Sequence, residues 1–250
     1  MEVILKCPVC SEKCELLDVV DFNKSCEELR GFYLPLSGKA VYYALCNSCG
    51  FCFAPEFGRW GLGDFEREIY NHDYAIIDPD YLSDRPRANA QIISSMLGEK
   101  KDLIRHLDYG GGNGLLSQVL CDQGWNSHSY DPFVNREVSP NELGKFNLIT
   151  AFEVFEHVPD VSRLMQDLSM LLASPGIIFF STLLSNSHIK PNERITWWYA
   201  SPRNGHISLF SNDSLCHLAE KSGFSFGSFS EGAHVFWNTV PSWAKQIVRA

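Results

Sequence analysis

The chain is short of positive charge. Its 21 lysines and arginines stand against 30 aspartates and glutamates, a formal charge of −9. A nucleic-acid partner calls for a surplus of Lys and Arg against the phosphates, so the balance makes nucleic acid an unlikely partner. Long apolar runs are lacking too. The longest, Gly176-Ile-Ile-Phe-Phe-Ser-Thr-Leu-Leu184, falls far short of the roughly 20 residues that span a bilayer, and no membrane partner is expected. Charged residues make up only 20% and hydrophobic ones 45%, a balance that excludes disorder, collagen and coiled coil. No internal repeat appears. Met1 to Lys6 lacks the apolar core of a secretory signal, so the expected compartment is cytoplasmic. The 250 residues allow one α/β domain with an appendage, or two small domains.

What the chain has in excess is cysteine. Seven of its nine cysteines precede position 53. Clustered thiols in a reducing compartment point to metal rather than disulfides. Cys7-Pro-Val-Cys10 and Cys46-Asn-Ser-Cys49-Gly50 form two C-x2-C knuckles, and two thiolate pairs suit tetrahedral zinc. The 35 residues between the pairs must fold back. Cys14 and Cys52 offer competing ligand sets, and an iron–sulfur cluster is the alternative on count. Residues 1–60 otherwise read as irregular. A small zinc-ribbon-like module at 1–60 is therefore expected, ahead of a domain at 61–250 whose first part, 61–100, is a helical lead-in.

From position 80 onward the apolar spacing becomes regular. A helix is expected from Arg87 to Leu97, with Ala88, Ile92, Met96 and Leu97 near one face. Strands are expected at Ile104–Tyr109, Ser127–Asp131, Phe146–Phe152 and Gly176–Thr182. Helices alternate with them at Leu115–Gln123, Asp160–Leu172 and Asn212–Ser222. Two more strands, Phe224–Ser230 and Ala233–Thr239, follow the last helix. That order predicts an α/β fold with a Rossmann-like, doubly wound, mostly parallel sheet and an antiparallel addition at its C-terminal edge.

Leu107-Asp-Tyr-Gly-Gly-Gly-Asn-Gly114 follows a strand and opens a helix. Glycines there let a ligand approach the backbone, and a helix N-terminus favours electron-rich groups. Asp131 ends the next strand, where an acidic side chain meets both hydroxyls of a ribose. Gly110, Gly112 and Gly114 are spaced G-x-G-x-G, not the G-x-G-x-x-G of dinucleotide sites. Here the chain resembles the class I S-adenosylmethionine-dependent methyltransferases, whose first motif is D/E-x-G-x-G-x-G. The resemblance implies that Asp108 holds the amino-acid end of the cofactor, that the glycines line it and that Asp131 takes the ribose.

Two later blocks extend the resemblance. Phe146-Asn-Leu-Ile-Thr-Ala-Phe-Glu-Val-Phe-Glu-His-Val-Pro159 matches F-D-x-I-x-x-x-x-V-x-E-H-V except at Asn147. It implies that Phe152 and Glu153 lie by the cofactor, and Glu156 and His157 near the substrate mouth. Gly205-His-Ile-Ser-Leu-Phe-Ser211 resembles an H-x-x-x-F-S signature of bacterial enzymes acting on sugars and other small metabolites. His206 is the candidate general base, since a histidine of near-neutral pKa suits removal of the acceptor's proton. Trp197, Trp198 and Tyr199 sit in the same long connection, as pocket walls or as core. Tyr74, in Tyr70-Asn-His-Asp-Tyr74, implies a cover over the cofactor, and Arg87 a partner for a carboxylate.

The cysteine segment resembles the N-terminal zinc-binding segment of some bacterial methyltransferases, with Cys7, Cys10, Cys46 and Cys49 as ligands of a structural zinc. Their C-methylating branch places Glu before the histidine, and Gly205 departs from it. The expected function is therefore methyl transfer from S-adenosylmethionine to an O or N of a small polar metabolite, such as a sugar or nucleotide-linked sugar. Two alternatives compete with it: an RNA methyltransferase gripping RNA through the zinc module, and a non-enzymatic cofactor-binding module. Glu12, Glu15, Asp18, Asp21, Glu27 and Glu28 against Lys13, Lys24 and Arg30 weigh against RNA.

Overall fold

The computed structural model describes residues 5–248. Its elements, in chain order, begin with strands β1 (Cys14–Asp21), β2 (Ala40–Cys46) and β3 (Cys52–Phe53) and short helices α1 (Leu62–Glu68) and α2 (Tyr74–Ile77). Then come α3 (Asp84–Leu97), β4 (Arg105–Tyr109), α4 (Leu115–Asp122), β5 (Asn126–Tyr130), β6 (Phe146–Phe152), α5 (Val161–Leu171) and β7 (Leu172–Ser181). The last are β8 (Ser208–Leu209), α6 (Asn212–Lys221), β9 (Ser225–Ser228) and β10 (Ala233–Thr239). The chain divides into two compact units. One combines residues up to Pro79 with Phe155–Ser162 and Leu183–Leu218. The other combines Asp80–Val154, Arg163–Thr182 and the residues from Ala219 onward.

The second unit holds a six-stranded sheet in the order β5-β4-β6-β7-β10-β9. β5, β4, β6 and β7 run parallel, and β10 pairs antiparallel with both β7 and β9. The antiparallel addition is thus a β9–β10 pair, with β9 at the margin. β6 and β7 are apolar on both faces, as parallel strands covered by helices must be. Ile93 and Leu97 of α3, Leu116 and Leu120 of α4, Leu148, Ile177 and Val235 share one buried core. The apolar stripe of α3 is Ala90, Ile93 and Leu97. Ala88, Ile92 and Met96, expected on the buried face, are exposed. α3 also begins at Asp84, three residues before the expected start, with Pro86 in its first turn where a missing N–H costs nothing.

The first unit holds a four-stranded sheet, β1-β2-β3-β8, of which no strand was expected from sequence. β1 and β2 pair antiparallel from Cys14↔Cys46 to Asp21↔Ala40. That hairpin is how the stretch between the cysteine pairs folds back. β3 pairs with β2, and β8 adds to β3 through Cys52↔Leu209 and Phe53↔Ser208. The cysteine-rich segment is therefore not closed at position 60: it shares its sheet with a strand about 150 residues away in sequence. Phe51, Phe155 and Phe210 form its aromatic centre, with ring centroids 4.9 and 5.9 Å apart. Among the described residues, no helix is long and apolar enough to cross a membrane.

Candidate functional site

β4 delivers Asp108 to its carboxyl end, where Gly110, Gly112 and Gly114 carry φ of 74°, 53° and 77°. These are left-handed conformations that suit glycine. A Cβ at Gly110 would lie 2.5 Å from Val154 Cγ2, so this turn also requires the missing side chain for space. A Cβ at Gly112 would meet nothing within 4 Å. The loop thus packs down on one side and opens a bare backbone cradle on the other.

Asp108 is buried beneath this loop. Its Oδ1 accepts from Thr150 Oγ1 at 2.7 Å. Burial, reinforced by the nearby Asp131 charge and opposed by Thr150, pushes its carboxyl up to about 7. Thr150 Oγ1 lies 2.9 Å from His106 Nε2, and His106 Nδ1 lies 2.7 Å from Ser127 Oγ. Burial pushes His106 down to about 3, so it is neutral, with one donor and one acceptor nitrogen. Since Thr150 gives its only proton to Asp108, His106 Nε2 donates to Thr150 and Nδ1 accepts from Ser127. Asp131 follows β5 immediately. Its Oδ2 accepts from Gly112 N at 3.0 Å and its Oδ1 from Phe133 N at 2.8 Å. The carboxylate therefore braces the glycine loop, with lone pairs to spare.

Phe152 ends β6, edge-on to Phe179 at 5.4 Å. Glu153 has φ of 53°, rare for a side-chain-bearing residue, and its N–H donates to Ser181 Oγ. Its carboxylate pairs with Arg85 of α3. Arg87, expected to meet a carboxylate, is exposed; Arg85 is the residue that sequence reading missed.

In the other unit, Glu156, His157 and His206 come together. One ring nitrogen of each histidine and a Glu156 oxygen lie within 4.8 Å of one another. Glu156 is fully buried, in a 3-10 turn over Phe155–His157, and accepts from Tyr199 OH. His206 Nδ1 donates to the Tyr199 carbonyl at 2.9 Å. Tyr70 OH lies 3.1 Å from His157 Nδ1, and the two imidazoles meet edge to face at 4.8 Å. Gly205 has φ of 86°, and a Cβ there would lie 3.0 Å from His157 Nδ1 and 3.1 Å from Tyr70 OH. Any side chain at this position would sit in a strained left-handed backbone and press on both groups. Tyr74 is buried, with its hydroxyl 3.4 Å from Asn204 O and its ring edge-on to Tyr70 at 5.1 Å. Of the loop aromatics, Trp197 stacks on His188 at 4.6 Å as core, whereas Tyr199 serves the cluster. Tyr199, expected as a pocket wall or as core, contacts the cluster directly, and Tyr70 is a member given no role from sequence.

The four expected sulfurs also gather in this unit. Cys7 Sγ and Cys49 Sγ are 3.7 Å apart, and Cys10 Sγ and Cys46 Sγ 3.4 Å. A tetrahedron with metal–sulfur arms of about 2.3 Å has edges of about 3.8 Å, so the set fits a zinc-sized ion. Hydrogen bonds from Cys14 and Cys49 draw the Cys7 thiol down, while its bond to Cys7, together with burial, pushes Cys49 up. Crowded sulfurs share protons that a divalent cation would replace. Cys14 lies on β1 across from Cys46, and Cys52 is buried on β3; neither joins the four. The same sheet carries the histidine loop: Ala54 N–H donates to Ile207 O at 2.9 Å, and Tyr43 OH to His206 O at 2.6 Å.

Comparison with known proteins places these features in context. The family described as "Methyltransferase domain" matches residues 81–226. A ubiquinone biosynthesis O-methyltransferase from Colwellia psychrerythraea is 32% identical over 107 residues, 34% of this chain and 43% of that one. One from Coxiella burnetii is 29% identical over 102 residues, covering 32% and 44%. The aligned part spans less than half the length of these curated relatives. Among solved structures, a Burkholderia thailandensis 1,6-didemethyltoxoflavin-N1-methyltransferase superposes with a TM-score of 0.49 at 15% identity, covering 82% of this chain and 96% of that one.

Proposed function

We propose that this chain, which belongs to the methyltransferase-domain family, moves a methyl group from S-adenosylmethionine to an oxygen or nitrogen of a small polar metabolite. The glycine cradle over buried Asp108, braced by Asp131, is the observation that carries the reading. When bound, the cofactor supplies an electrophilic sulfonium methyl. Asp108 would hold its ammonium group, Gly110, Gly112 and Gly114 its chain, and Asp131 its ribose. Phe152, Glu153 and Tyr74 are proposed at its margins. Only Val154 and Phe155 separate Glu153 from Glu156 in the chain.

Acceptor binding is assigned to Glu156, His157 and His206. The acceptor O–H or N–H must lose a proton as it attacks the methyl carbon, and His206 Nε2 is the proposed recipient. Much of the rate enhancement is assigned to positioning alone. The glycine at 205 removes the Glu of the C-methylating pattern, which favours O- or N-methylation. The relatives named as O-methyltransferases support oxygen, and the resemblance of Gly205–Ser211 to sugar-type enzymes supports a polyhydroxylated acceptor. Cys7, Cys10, Cys46 and Cys49 are assigned to a structural zinc, because four sulfur ligands leave no open position for chemistry. A cytoplasmic location belongs to the same reading. The acidic head argues against RNA.

Isothermal titration with S-adenosylhomocysteine tests this function. Well-folded protein that does not bind it would sink the proposal. Asp131→Ala should weaken binding by about tenfold or more, the scale of one lost charged hydrogen bond. An unchanged affinity would remove Asp131 from the site.

A further inference from the structure

The Glu156–His157–His206 cluster has features beyond those of a lone general base. Three ligating side chains from two distant stretches converge within 4.8 Å in one unit, Glu156 and His206 buried and His157 half-buried. Two of them are adjacent on a single 3-10 turn, and the third lies two residues before the start of β8. Each is held by an outer partner. Tyr70 OH meets His157 Nδ1, the Tyr199 carbonyl takes the proton of His206 Nδ1, and Tyr199 OH donates to Glu156. Metal-binding histidines show this pattern: a carbonyl or hydroxyl fixes one ring nitrogen and turns the other toward the ion. A base needs one histidine, and its rate would gain little from a second imidazole and a buried carboxylate oriented in the same way.

We infer that Glu156, His157 and His206 form a binding site for a divalent transition-metal ion, separate from the four-cysteine site. Two imidazoles and one carboxylate select borderline ions of the manganese, iron, cobalt and zinc class, and leave coordination positions open for a ligand oxygen. A facial set on a shell of about 2.1 Å has donors about 3 Å apart, so the cluster must close by under about 2 Å, the scale of a side-chain rotation. A side chain at position 205 would press on His157 Nδ1 and Tyr70 OH, the outer pair that orients this imidazole. A bound ion would occupy His206 Nε2, so ligation and proton acceptance at that atom are alternative roles; any part in ionising an acceptor rests on the methyl-transfer reading, and binding of the ion does not.

Cobalt(II) titration of the full-length apoprotein, followed by visible absorption, tests the site. Two equivalents are expected. One shows sulfur-to-metal charge transfer from the cysteine set, and the other shows only weak ligand-field bands. Glu156→Gln and the double variant His157→Ala/His206→Ala should each reduce the stoichiometry from two to one and keep the charge-transfer band, which reports that the unit is folded. A wild-type protein that stops at one equivalent, the thiolate one, overturns the inference. So does a second equivalent that persists in the double variant. Homocysteine-cofactor binding, measured on the same samples, separates this outcome from failure of the methyl-transfer reading.

Discussion

Replacing Asp108 with Asn should flatten the pH dependence of stability in the cofactor-free protein. The carboxyl is buried, and its folded-state value of about 7 lies well above the ordinary 3.8. An acid that holds its proton more tightly when folded favours the folded state while neutral. That advantage is lost as pH rises through the interval from 3.8 to about 7. The whole interval corresponds to roughly 4 kcal/mol, and the part falling between pH 5 and pH 8 to roughly 2.5 kcal/mol. For a chain of this size that is a change of roughly 5–10 °C in Tm. Asn keeps the shape and still accepts from Thr150, so the buried relay from Ser127 through His106 stays intact. The assay is urea unfolding of both proteins across pH 5–8, and the readout is their difference, in which other titrating groups cancel. Wild type should lose about 2.5 kcal/mol relative to Asp108→Asn as pH rises over that range. A difference independent of pH would refute the burial argument, and a difference of the opposite sign would mean that hydrogen bonding outweighs desolvation at Asp108.

Three further outcomes follow from the same geometry. Binding of S-adenosylhomocysteine at pH 6 should release roughly one proton, because an ammonium beside Asp108 forces the carboxyl to ionise; calorimetry in buffers of different ionisation enthalpy reads the number. Tyr199→Phe should cost about 1–3 kcal/mol in urea unfolding, since it strips the hydroxyl donor from a fully buried carboxylate. Gly205→Ala should reduce methyl transfer by tenfold or more and leave homocysteine-cofactor affinity within about twofold. It forces a left-handed alanine worth about 1–2 kcal/mol of strain against His157 and Tyr70, while the glycine cradle is untouched. Equal loss of both would mean that the substitution unfolds the chain.

Much of the second unit was legible because its elements repeat a local pattern. Apolar β6, the glycine stop after α4 and the turn from Asp108 to Gly114 each depend on residues close in sequence. The buried face of α3 was not. Ala88-Ile92-Met96 and Ala90-Ile93-Leu97 are rival stripes offset by one or two residues, and only the core decides which turns inward. β7 begins at Leu172, four residues before its expected start, because pairing with β6 carries the strand through Ser174-Pro175. The hairpin β1–β2 is not legible locally, because Leu16 and Val19 are exposed and blur the alternation a strand signals by.

The sequence by itself determined the donor atoms: the cysteine knuckles, the glycine turn with its two aspartates, and the histidines after β6 and after β7. Those depend on residue type and short spacing, which the covalent chain carries directly. Tertiary structure decided what each group works against. It buried Asp108 so that its carboxyl rose, turned Tyr199 onto Glu156, joined β8 to the cysteine sheet and put His206 beside His157. Burial and long-range pairing are properties of packed surfaces, and no local stretch of the chain contains them.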